Sequence, residues 1–217
     1  MARKILNITN GDYFNNYFLS IFGGEAIPFR EVMMDGDTVP EIYSEEFIAL
    51  RSNVLGVTTE EYRSKMQVCD VLKKKEHNIL LLYFGKDSFC QINLLTLLAY
   101  LEQIGFDGKI WLKLIDDESF EIIEGGIVVE LGMYQKLYEE ILIKKQKPKE
   151  IGVLNSRAID LYFDYLSEDG FLANIARSGP FWNEKSLIRI ILAMSKEYGL
   201  SDKQVENLVR RNYGKET

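Results

Sequence analysis

Hydrophobic and polar positions along the chain alternate between short apolar runs and longer stretches with helical spacing. Lys4–Ile8 predicts a first strand, closed by the polar turn Asn10-Gly11-Asp12. Tyr13, Phe14, Tyr17, Phe18 and Ile21 then recur at helical intervals up to Gly23-Gly24. A second strand is expected over Ala26–Val32, which makes a strand–helix–strand unit of βαβ size. After the polar loop Asp35–Pro40, Ser44 is placed to cap a helix over Glu45–Asn53. Thr58-x-x-Glu61 has capping-box spacing and starts another helix that runs to about Lys74.

The central segment is the most hydrophobic. Asn78–Phe84 reads as a strand buried on both faces. The helix expected from Ser88 to about Gln103 is apolar almost all round, so it should lie at the centre of the fold. Lys109–Ile115 predicts a fourth strand, and Phe120–Leu131, split by Gly125-Gly126, a hairpin or edge strand. From Met133 onward the pattern is helical, over Tyr134–Lys145, Ser156–Leu166, Phe171–Ala176, Glu184–Tyr198 and Lys203–Arg211, the last opened by Ser201-x-x-Gln204. The expected class is therefore α/β: a Rossmann-like, mostly parallel sheet of four or five strands with flanking helices, followed by a helical C-terminal part. A boundary near Gly132 divides the chain into residues 1–132 and 133–217.

Composition narrows the function classes. The 217 residues carry 33 acidic and 26 basic side chains, a net charge of -7, which argues against a broad nucleic-acid surface. Two cysteines, Cys69 and Cys90, do not make a disulfide framework, and one histidine, His77, leaves zinc almost no ligands. No metal ligand set is assigned on this basis, although carboxylates remain open to magnesium. His77 precedes a strand, at the opposite edge from the polar turns, so no serine–histidine or cysteine–histidine nucleophile set is expected. Met1-Ala2-Arg3-Lys4 is basic, yet the apolar stretch behind it is too short for a signal peptide. The longest apolar run, Ile79–Phe84, is far below the ~20 residues needed to span a bilayer. A cytoplasmic protein without a membrane partner is expected.

Candidate chemistry gathers at three strand ends. Open α/β sheets bind ligands at the carboxyl ends of their strands, near a topological switch point. Asn10, Gly11 and Asp12 stand at the first such end, Arg30 and Glu31 at the second, and Gly85 and Asp87 at the third, with Arg51 placed to lean toward them. Glycine admits a ligand close to the backbone, a helix N-terminus offers unpaired N–H groups to an anion, and arginine recognises phosphate or carboxylate. These residues form the expected site for a small anionic ligand such as a nucleotide. Asp12, Glu31 and Asp87 are the groups available for acid–base work, or for a magnesium-dependent hydrolase or transferase built on Asp12 and Asp87.

Each residue also has a structural reading. Asp12 suits an N-cap, Arg30 a salt bridge and Arg51 snorkelling. Ser88-x-x-Gln91 fits a capping box that would leave Asp87 just outside its helix. Asn93 and Thr96 are expected to tie the buried helix to neighbouring backbone. Neither the dinucleotide fingerprint nor the P-loop is present. A third reading comes from the end of the chain. Leu187–Tyr198, Gly199-Leu200-Ser201 and Asp202–Arg211 form helix, turn, helix, with Lys203, Arg210 and Arg211 on the second helix. That arrangement fits a DNA-reading or protein-docking element as well as a plain helical hairpin.

Three stretches carry a family resemblance: Ile8-Thr9-Asn10-Gly11-Asp12, Phe29-Arg30-Glu31-Val32-x-x-Asp35-Gly36, and Leu82-Tyr83-Phe84-Gly85-Lys86-Asp87-Ser88-Phe89-Cys90-Gln91-Ile92-Asn93-Leu94-Leu95. Over roughly Lys4 to Leu101 the chain resembles a bacterial family known as domain of unknown function 1835. The helices from Tyr134 to Arg211 resemble the C-terminal region often joined to that domain. The resemblance implies a shared fold and site and names no substrate. Members usually show histidine where Asn7 stands, tryptophan for Phe29, aspartate for Glu31 and proline for Asp37. A function resting on that histidine would be altered or lost in this chain.

Overall fold

The computed structural model describes residues 4–178 and 183–213. Of the basic start Met1-Ala2-Arg3-Lys4, the first three residues lie outside this range. Five strands form one sheet: β1 (Ile5–Asn10), β2 (Ala26–Phe29), β3 (Ile79–Gly85), β4 (Lys109–Ile115) and β5 (Ile122–Val129), in the order β2-β1-β3-β4-β5. β1 to β4 run parallel, and β5 pairs antiparallel with β4 through register shifts at Leu112, Leu114 and Ile115. The stretch Phe120–Leu131 is thus a single edge strand.

Alternation along β3 shows how the two faces differ. Leu80, Leu82 and Phe84 enter the main core, while Leu81 and Tyr83 face α1 (Gly11–Phe22) through Phe14 and Phe18. The opposite face packs under α2 (Glu45–Leu55), α3 (Thr59–Lys65), α4 (Gln67–Lys73) and α5 (Ser88–Gln103). The expected helix ending near Lys74 breaks at Met66 into α3 and α4. α5 lies at the centre, as its all-round apolar pattern requires: every residue from Cys90 to Leu101 is buried.

The C-terminal helices close over α5. They are α6 (Tyr134–Tyr138, continued by a π-helical turn Glu139–Ile143), α7 (Ser156–Leu166), α8 (Phe171–Arg177), α9 (Glu184–Met194), a 3₁₀ turn (Lys196–Tyr198) and α10 (Asp202–Asn212). One hydrophobic core runs from the sheet through α5 into Tyr162, Leu187 and Val205, so the parts on either side of Gly132 share their interior. Capping boxes at Thr58–Glu61 and Ser201–Gln204 are both formed. Among the described residues no helix is long and apolar enough to cross a membrane.

Candidate functional site

β1 connects to β2 on one side of the sheet, whereas β3 connects onward to β4 on the other. The carboxyl ends of β1 and β3 therefore flank a switch point, where a crevice forms for topological reasons. A polar recess lies there. Its inner part, about 260 Å³, is lined by Asn10, Tyr13, Phe14, Cys90 and Phe120. Its outer part, about 680 Å³, opens between Lys86, Asn155, Arg157 and Leu192. Asp87, Ile115, Asp117, Lys196 and Gly199 border both parts. The 3₁₀ turn of the C-terminal region thus forms one wall.

Asp87 is the N-cap of α5, its Oδ1 accepting from the Cys90 amide at 2.9 Å. Ser88, expected to cap, is the first helical residue instead and donates to Ala158 O at 2.8 Å. Its expected partner Gln91 donates to Gly85 O at 2.6 Å and accepts from Asn155 N at 2.9 Å, tying the end of β3 to the start of α7. Asn93 donates to Glu31 O and Asn10 Oδ1 and accepts from Met33 N, and Thr96 donates to Ile92 O.

Asp117, two residues beyond β4, is exposed as a residue but sets its carboxyl against Asp87. Burial first, then the Asp87 charge, pushes its pKa up to about 8. The second oxygen of Asp87, Oδ2, is sealed from solvent with no hydrogen-bond partner among the described residues. Contact between the two carboxyls becomes a hydrogen bond only while one of them keeps a proton. Cys90 completes the cluster: one donor atom from each of Asp87, Cys90 and Asp117 lies within 4.8 Å of the others. Burial, then Asp87 and Asp117, raise the Cys90 thiol well above its ordinary range. Gly85 makes the approach possible, since a Cβ there would sit 2.7 Å from Asp87 Oδ2 and closer still to the Asp117 carboxylate.

The residues expected at the site are divided by the structure. Asn10 and Asp87 line the inner recess, and Gly85 backs the carboxylate pair. Gly11 begins α1 at φ 76°, with open space where a side chain would stand. Asn10 holds the N-cap position of α1, yet no side chain caps that turn. Asp12 does not cap α1. It sits in the first turn, paired with Arg30 Nε at 2.7 Å on an exposed surface.

Glu31 and Arg51 lie apart from the recess, in the core, with both side chains wholly buried. Arg51 spends all five of its N–H donors, on both Glu31 oxygens and on the carbonyls of Val32, Asp35 and Asp37. Nothing is left on it for a ligand, and it does not snorkel. Sequence alone does not single out Asp117, because nothing local marks Asp116-Asp117 off from other acidic turns. Its position just past the fourth strand's end was the available signal.

At the C-terminus α9, the 3₁₀ turn and α10 do form helix, turn, helix. α10 buries Val205, Leu208 and Val209 and leaves Lys203, Arg210 and Arg211 exposed. Comparison with protein-family models, with curated proteins and with solved structures gives no match, so the site is read from its geometry.

Proposed function

We propose that the recess binds a small anionic ligand, a nucleotide or another phosphorylated metabolite, with its phosphate at the first turn of α1. The observation that carries this reading is the free start of that helix. No side chain caps it among the described residues, Gly11 leaves open space beside its backbone, and Asn10 and Tyr13 place the turn against the inner recess. A helix N-terminus without an internal cap is a ready acceptor for phosphate. Tyr13, Phe14 and Phe120 supply apolar surface for the rest of such a ligand.

A thermal-shift panel of nucleotides and phosphorylated metabolites, with and without Mg²⁺, tests the proposal. Ligand at a hundredfold excess over Kd adds about 2.7 kcal/mol, a rise of roughly 5–10 °C for a chain of this size. Tyr13 is largely exposed, so Tyr13→Ala should leave the ligand-free Tm nearly unchanged and erase the rise. A panel that produces no rise overturns the reading.

A second reading, a hydrolase or transferase, is favoured by the proton that Asp117 holds near neutral pH. Asp117 takes the place given to Asp12 in the sequence reading, with Asp87 as its partner. Release or transfer of phosphate that disappears in Asp117→Asn would support it, and its persistence in that variant would dismiss it. Membership of the domain of unknown function 1835 family belongs to the same proposal, resting on the three stretches around Asn10, Arg30 and Asp87. So does a cytoplasmic location, supported by two buried cysteines without a disulfide.

A further inference from the structure

We infer that Asp87, Cys90 and Asp117 form a centre for a divalent transition cation of the zinc class. Oδ2 of Asp87 is sealed from solvent, and among the described residues it meets only the Asp117 carboxyl. Two carboxyls pressed together behind Gly85 need either a shared proton or a cation between them, and a cation can take the proton's place. The oxygen cannot turn away, since Oδ1 is held by the Cys90 amide. The Asp117 carboxyl and the buried Cys90 sulfur each bring a ligand atom within 4.8 Å of an Asp87 oxygen.

Spacing supports a shared ion. Cys90 Sγ lies 3.8 Å from Asp117 Oδ1. In a tetrahedral site with Zn–O about 2.0 Å and Zn–S about 2.3 Å, an oxygen and a sulfur ligand stand about 3.5 Å apart. A small rotation of the exposed Asp117 side chain closes the remaining distance.

The surroundings of the sulfur point the same way. Asn10 Nδ2 donates to Cys90 Sγ at 2.9 Å, and the Asn10 amide is fixed in that orientation because its Oδ1 accepts from Asn93 Nδ2 at 3.0 Å. A donor aimed at sulfur from the second shell steadies a thiolate ligand. The thiolate in turn selects among cations: sulfur suits zinc or cobalt and is a poor ligand for magnesium or calcium. Three protein ligands leave a fourth position, directed into the recess, for water or a ligand. This centre does not depend on the anion reading, since its donors are in place whether or not α1 takes a phosphate.

The test uses chelator-treated full-length protein and Co²⁺ as probe. One equivalent should produce a near-ultraviolet sulfur-to-cobalt charge-transfer band together with visible bands of a four-coordinate ion. Cys90→Ser should abolish the charge-transfer band, and Cys69→Ser should preserve it. Asp117→Asn, changed at an exposed residue and checked for fold by circular dichroism, should weaken Co²⁺ and Zn²⁺ binding at least roughly tenfold. Absence of the band at one equivalent, or unchanged affinity in Asp117→Asn, would overturn the centre. Neither result touches the nucleotide panel, so the two proposals fail separately.

Discussion

Arg51 and Glu31 form a forked ion pair in which neither side chain reaches solvent, with Nε 3.1 Å from Oε1 and an Nη 2.9 Å from Oε2. Tyr62 also donates to Oε1, and the Val32 amide donates to Oε2. The backbone carbonyls of Val32, Asp35 and Asp37 take the remaining arginine donors, so the pair fastens the loop after β2 to α2.

Removing one partner should leave the other charge buried and uncompensated. Arg51→Met is expected to lower stability by about 3–5 kcal/mol, measured by urea denaturation. The loss should be nearly independent of salt, because a buried pair is little screened. A loss below about 1 kcal/mol would show that the pair opens to water.

Glu102 performs a different fastening. Its carboxylate accepts from the amides of Gly132, Met133, Tyr134 and Gln135, and so caps α6, which has no side-chain cap of its own at Met133. The contact joins the end of α5 to the start of the C-terminal helices. Glu102→Ala should cost about 2 kcal/mol, with faster hydrogen exchange concentrated at those four amides. Exchange that rises evenly across the molecule would argue against a local cap.

Much of this architecture was legible along the chain, for physical reasons specific to each element. β3 is buried on both faces and so reads as an unbroken apolar run, and α5 is apolar all round for the same reason. Thr58–Glu61 and Ser201–Gln204 are local motifs whose partners sit three residues apart, so spacing alone reveals them. What the sequence left open depends on partners far away. Asp87 is the cap in place of Ser88 because Ser88 finds Ala158, 70 residues on. Arg51 reads as a site residue by sequence because the carboxylate that neutralises it lies 20 residues earlier, in the loop after β2. Asp117 joins Asp87 only because β4 pairs beside β3.

Gly85 offers a sharp test of that juxtaposition. A methyl group on it would press on both carboxylates, so Gly85→Ala should destabilise the protein by about 1–3 kcal/mol. Removing the obstructing group in the double variant Gly85→Ala/Asp117→Ala should recover part of the loss, a coupling readable from a double-mutant cycle. Additive losses would mean that the Asp117 carboxyl does not rest against Gly85.

The pH dependence follows from the raised Asp117 carboxyl. Its ordinary value is 3.8 and its folded value about 8, so between these limits the folded chain keeps a proton that the unfolded chain has released. Stability falls with rising pH wherever the folded state binds more protons. Asp117 therefore contributes a penalty that is absent at pH 3, grows between about pH 4 and 8, and is constant above that. Asp117→Asn removes it. The difference between wild type and variant should widen in favour of the variant as pH rises from 5 to 9, measured by urea midpoints in the presence of chelator. The Asp117 carboxyl resonance followed by NMR should titrate near pH 8. If the two stability profiles run parallel across that range, the Asp117 carboxyl is solvated and ionised like any surface acid.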